Sequence, residues 1–225
     1  MNKSQGIYSR QVSTKNQCVA MSELNLKQSR ERLNEVLDFL VSFHGMNPDS
    51  VPPLDDSVDL PNGLRDLYRK HSKWMVDANF HALYWFDSLS VSDGTMYGMD
   101  CPKEWIVFSQ EHVAVWVAAC PASSVDDTEV AICSDVGVET LPSLNQFLVW
   151  LLLQESVWIA EGYSLSEHGI DDEDYWSSQG FSNLIDCSFD DVEICIQLFR
   201  NFRLSNDGKT IAQGDAQQSH LSSRA

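Results

Sequence analysis

The run Phe147-Leu148-Val149-Trp150-Leu151-Leu152-Leu153 narrows the choice of fold more than any other segment. Pro142-Ser143 opens it as a helix, and Leu144, Phe147, Leu148, Leu151, Leu152 and Trp158 line one face. Trp150 and Leu153 make that helix apolar nearly all round, and such a helix has to be buried. A bilayer needs about 20 apolar residues in succession, so this run is too short to cross one. It must instead be packed deeply against other elements of the same chain.

The preceding hundred residues supply a sheet for it. Phe80–Phe86, Trp105–Phe108, Val113–Ala119 and Glu129–Cys133 are short runs of aromatic and β-branched residues that read as strands. Asp93-Gly94 marks a tight turn and Pro121–Thr128 a polar connection. Strands so closely spaced pair antiparallel, because parallel neighbours need long crossovers. Upstream, Leu26, Leu33, Val36, Leu37, Leu40 and Val41 recur at helical spacing until His44-Gly45, with Gly45 as the C-cap. Pro48, Pro52 and Pro53 mark a surface loop, and Pro61 stands in the first turn of a short helix carrying Leu64, Leu67 and Tyr68.

The order predicts an α+β fold, a mostly antiparallel sheet with helices packed on one face. Residues 1–21 read as a flexible tail and 22–204 as one domain, interrupted by an acidic insertion over about 162–180. Residues 205–225 read as a hairpin remnant, with Asp207-Gly208 at its turn, and a second tail from Gln213. Val192–Phe199 fits either a helix or a hairpin strand.

Charge separates classes of partner. The chain carries 15 basic and 33 acidic side chains, a formal charge of −18. Between Lys103 and Arg200 there is no Lys or Arg, against eighteen Asp and Glu. Such a field repels phosphate backbones and anionic lipid heads, so direct binding to nucleic acid or a membrane surface is not expected. It attracts basic proteins and speeds the encounter with them. Met1–Ala20 lacks the apolar core of a signal peptide, and the six cysteines form no C-x-x-C pair. Free thiols in a reducing cytoplasm are the expectation.

Chemistry-bearing patterns are sparse. G-x-S-x-G, H-E-x-x-H and the Walker loop are absent from the sequence, and no His or Cys spacing suggests zinc, so neither catalytic residues nor a cofactor or metal is assigned. Glu111-His112 adjoins a strand, where neighbouring side chains point to opposite faces and do not converge on a substrate. The densest acidic run is Asp171-Asp172-Glu173-Asp174, and Ser182 stands where a calcium loop needs its closing Glu. The run reads either as a solvated loop or as the contact surface for a Lys/Arg-rich partner. Tyr175-Trp176 beside it has the composition of an interface anchor. Asp126, Asp127 and Glu129, and Asp190, Asp191 and Glu193, are secondary candidates for the same contact.

Three segments carry a resemblance. Leu60-Pro61-Asn62-Gly63-Leu64 running into Leu67-Tyr68 resembles the Pro-led helix of SUKH-superfamily domains. Trp105–Phe108 and Val113–Val117, joined by Ser109-Gln110-Glu111-His112, are similar to that family's central hairpin, with Gln110-Glu111-His112 replacing a glycine-rich turn. Leu141-Pro142-Ser143-Leu144 followed by Phe147-Leu148 is similar to its late helix. Together they cover about residues 22–159. The resemblance implies an α+β fold without catalytic residues. It also implies a role as an immunity protein that binds and neutralises a cognate toxin, often a nuclease, or as a regulatory interaction protein. A nuclease needs a basic surface to hold phosphates, and an acidic inhibitor suits it.

Overall fold

The computed structural model describes residues 27–45, 59–77, 89–111, 116–187, 189, 201–215 and 219–224. Helix α1 (residues 27–43) buries Leu33, Val36, Leu37, Leu40 and Phe43, and ends at Gly45, whose φ of 63° is the left-handed value expected of a C-cap glycine. Helix α2 (Asn62–Asp77) follows Pro61, whose carbonyl accepts from Arg65 N at 2.9 Å. It is 16 residues long and runs past the short span read from the sequence; Leu64, Leu67 and Tyr68, with Leu60 just before the helix, are buried in the core.

Strands β1 (Ser90–Val91), β4 (Trp105–Gln110), β5 (Trp116–Pro121), β6 (Val130–Ser134) and β7 (Gly137–Leu141) form an antiparallel sheet in the order β1-β4-β5-β6-β7. Strand period divides its side chains. Ile106, Phe108, Trp116, Ala118, Cys120, Val130 and Ile132 face the helices. Val107, Val117, Ala119, Ala131 and Cys133 face a separate small core with Met99 and Cys101, capped by the hairpin β2 (Thr95–Met96) and β3 (Met99–Asp100). The Asp93-Gly94 turn precedes that hairpin, with Gly94 at φ 118°. The strand expected at Phe80–Phe86 and the start of that expected at Val113–Ala119 lie outside the described residues.

Helix α3 (Leu144–Trp158) is capped by Ser143, whose side chain accepts from Gln146 N at 3.1 Å. Every residue from Phe147 to Leu153 is buried. Phe147 and Trp150 meet Trp116 of the sheet, at ring separations of 6.2 and 6.5 Å.

A second antiparallel sheet explains why the rest of α3 is apolar too. It comprises β8 (Gly162–Ser166), β9 (Ile185–Asp186), β10 (Asn201–Leu204), β11 (Thr210–Gly214) and β12 (Ser219–Ser223), in the order β8-β12-β11-β10-β9. Ile185, Phe202, Leu204 and Ile211 join the same continuous core as α1, α2, α3 and the first sheet. The fold is α+β with antiparallel sheets, as the sequence pattern implies.

Two boundaries change. The hairpin expected at Asp207-Gly208 joins β10 to β11, but the chain from Gln213 is not a tail: Gln213 belongs to β11, and β12 pairs with β8 on one side and β11 on the other. Residues 162–180 are not a mere insertion, since Gly162–Ser166 is a sheet strand and Ile170 and Trp176 close the sheet's outer face. Val192–Phe199 lies outside the described residues.

Candidate functional site

The acidic run leads into helix α4 (Glu173–Ser178), part of a single lobe laid over the outer face of the second sheet. Asp172 is its N-cap: one carboxylate oxygen accepts from Tyr175 N at 3.1 Å, and the other meets His168 Nδ1 at 3.1 Å. The backbone amide of Tyr175 and then His168 hold the Asp172 carboxyl below its ordinary range. Glu173 is held down by Arg203, whose Nη2 donates to Oε2 at 2.7 Å. Arg203 itself is buried on β10, donating also from Nε to Ile170 O at 2.7 Å and from Nη1 to Ser182 O at 3.1 Å. One buried guanidinium therefore fastens both ends of the lobe to the sheet.

This geometry divides the candidates. Asp171 and Asp174 are exposed. Asp172 and Glu173 hold the lobe in place, so the four carboxylates are not one free contact surface. Tyr175 is half-buried and stacks on His168 with ring centroids 3.6 Å apart. Trp176 is not an exposed anchor. It is 1% exposed, donates from Nε1 to Gly169 O at 2.8 Å and meets Phe181 edge-on. An indole next to carboxylates in sequence is buried here because the helix turns it inward onto Ile170 and Ala212.

Asp126 and Asp127 also serve the fold. Asp127 accepts from Ser29 Oγ at 3.0 Å, Ser143 Oγ at 2.6 Å and Asn145 N at 3.0 Å, joining α1 to the first turn of α3. Carboxylates are favoured at that position by the helix dipole. Asp126 meets Arg30 of α1 and accepts from Asn62 Nδ2 at 2.8 Å. Glu129 is exposed. Asp190, Asp191 and Glu193 lie outside the described residues.

Sequence reading missed three features. A cleft of about 930 Å³ lies between α1, the start of α3 and β9, lined among others by Arg32, Glu35, Gln146, Val149 and Asp186. His44 touches Ser156, 112 residues away, at 3.0 Å from Nε2, and Arg224 Nη1 donates to its Nδ1 at 2.7 Å. Since Nδ1 accepts, Nε2 carries the proton and donates to Ser156 Oγ, which donates in turn to Leu152 O at 2.7 Å. Burial, then Arg224, lowers the His44 pKa to about 4. The pair is oriented opposite to a serine and its general base. The third feature is the outer edge of β8, where Tyr163 and Leu165 are 65% and 58% exposed. Their spacing of two, between Glu161 and Glu167, was the one available signal.

Among the described residues no cluster of His, Cys, Asp and Glu is arranged to hold a metal ion, and no helix is long and apolar enough to cross a membrane. No family model, curated protein or solved structure matches the chain.

Proposed function

We propose that this chain is an acidic binding protein whose partner is a basic protein, and that it acts as an immunity protein neutralising a toxin by covering the toxin's basic surface. The observation that carries the reading is the charge of residues 104–199, eighteen carboxylates without one Lys or Arg. Glu129, Glu161, Glu167, Asp171 and Asp174 of that stretch are exposed. A field of one sign steers a basic partner and rejects nucleic acid, the ligand a nuclease would hold on the same surface. The resemblance to SUKH domains over residues 22–159 supports the immunity role, and the cysteine usage supports a cytoplasmic site of action. The late sheet, residues 162–224, lies beyond that resemblance.

The test is capture from native lysate on the immobilised full-length chain, at low and at moderate salt, with mass-spectrometric identification. One basic protein recovered near stoichiometrically and retained at moderate salt is the expected result. Recovery of several unrelated proteins favours a regulatory scaffold, and recovery of none removes the reading.

A further inference from the structure

We infer that the outer edge of β8, which pairs with no further strand among the described residues, is a docking site that takes an extended, lysine- or arginine-flanked segment of a basic protein as a sixth strand of the second sheet. The inference rests on the reading of the chain as a binder of basic proteins and names the surface that does it.

The edges of the two sheets are unlike one another. Among the described residues β1 and β9 are two residues long, too short to template a partner, and β9 carries Asp186. Edge β7 carries Glu139. Edge β8, Gly-Tyr-Ser-Leu-Ser, has five residues, no charge and no proline, and runs against β12 in unbroken register from Gly162↔Ser223 to Ser166↔Ser219. Charges, prolines, bulges and brevity are the usual devices that stop an edge from pairing, and β8 has none of them. Residues 163–165 are exposed on both faces of the strand. Tyr163 and Leu165 project on the same face, the one that carries Phe202, Leu204 and Ile211 into the core further along the sheet. Tyr163 is braced by stacking on His220 at 5.4 Å. Trp158, 71% exposed, lies just before the strand. An added strand gains ladder hydrogen bonds from the backbone and seats alternate side chains on Tyr163 and Leu165.

Charge decides the occupant. Exposed Glu161 and Glu167 bracket the strand. Arg224 follows Ser223, the partner of Gly162, but its guanidinium is turned to His44. A second copy pairing antiparallel about Ser164 would set Glu161 against Glu167 twice, and like charges directly opposite destabilise a ladder. A strand with basic flanks sets a cation against each carboxylate instead.

The probe is a blocked peptide of alternating valine and threonine with a lysine at each end, and its twin ending in glutamates. Hydrogen exchange of the full-length chain reads the site. The lysine peptide is expected to slow amide exchange over residues 162–166, and the glutamate twin to bind at least tenfold more weakly. Leu165→Lys is expected to weaken the lysine peptide about tenfold. Glu161→Lys with Glu167→Lys, which leaves the strand itself untouched, is expected to reverse the preference between the peptides. Absence of protection at 162–166, protection at β7 instead, equal binding of both peptides, or a concentration-dependent dimer that protects β8 would each overturn the inference. Undiminished retention of a captured lysate partner by Leu165→Lys overturns it while leaving the binding role intact. A charge-selective peptide site with no lysate partner supports the edge and removes the role.

Discussion

Replacing Asp127 by Ala separates a structural carboxylate from a contact one. Three side-chain or backbone donors converge on it from residues outside its own turn: Ser29 Oγ, Ser143 Oγ and Asn145 N. The Ser143 hydroxyl is oriented by that bond to accept from Gln146 N, so the loss also loosens the cap of α3. A shielded bond to an ionised acceptor contributes about 1.5–3 kcal/mol, but Asp127 is half-buried and water recovers part of each. At about 1 kcal/mol per bond the variant loses about 3 kcal/mol. For a chain of this size that lowers Tm by about 6–12 °C. Urea unfolding followed by tryptophan fluorescence measures it directly. Asp127→Asn, which keeps one acceptor oxygen, falls between wild type and Ala. Glu129→Ala, at an exposed position two residues on, stays within about 0.5 kcal/mol of wild type. A loss below about 1 kcal/mol for Asp127→Ala, or an equal loss for Glu129→Ala, would refute the reasoning.

Trp176→Ala removes a buried indole and the bond to Gly169 O, and is expected to cost about 3–5 kcal/mol in the same assay; a change under about 1 kcal/mol would mean the indole is not buried. His44 has its pKa lowered from 6.5 to about 4, so the unfolded chain takes up a proton that the folded one refuses. The stability it contributes is complete above pH 6.5 and is lost as pH falls towards 4, by up to about 3 kcal/mol, and unfolding of His44→Gln should lack that share of the slope. Burial pushes the Cys120 thiol up to about 12 and raises Cys133 and Cys187 as well. Peptide mapping after alkylation at pH 8 should find these three protected in the folded chain and modified in urea.

The parts of the fold legible in the sequence are those whose neighbours in space are also neighbours in pattern. Leu33 to Leu40 show helical spacing, Trp105–Phe108 and Glu129–Cys133 show strand composition, and Phe147–Leu153, apolar on every side, lies in one core with residues of both sheets. Beyond the Asp207-Gly208 hairpin, the second sheet escaped for a physical reason. Strand β12 is Ser-His-Leu-Ser-Ser, and its buried Ser219 and Ser222 are held by ladders to β8 and β11 that no local pattern announces. Composition there matches a polar tail, and only long-range pairing makes it a strand.

The candidate site was legible as charge but not as geometry. The acidic run was visible, yet which of its members are tied to the fold depends on Arg203, thirty residues away, and on the capping role of Asp172. Trp176 was misplaced because adjacency to carboxylates in sequence says nothing of the direction its side chain takes on α4. A charge reversal meant to test binding should therefore use Asp171 and Asp174, which are exposed, and leave Asp172 and Glu173 in place.

Growth under the captured basic protein tests the neutralising role most directly. Expressed alone, that protein should arrest growth; expressed with the wild-type chain, growth should resume, and Asp171→Lys with Asp174→Lys should restore it less well at equal abundance. A captured protein that is harmless alone, or arrest that persists beside a bound wild-type chain, would contradict the role.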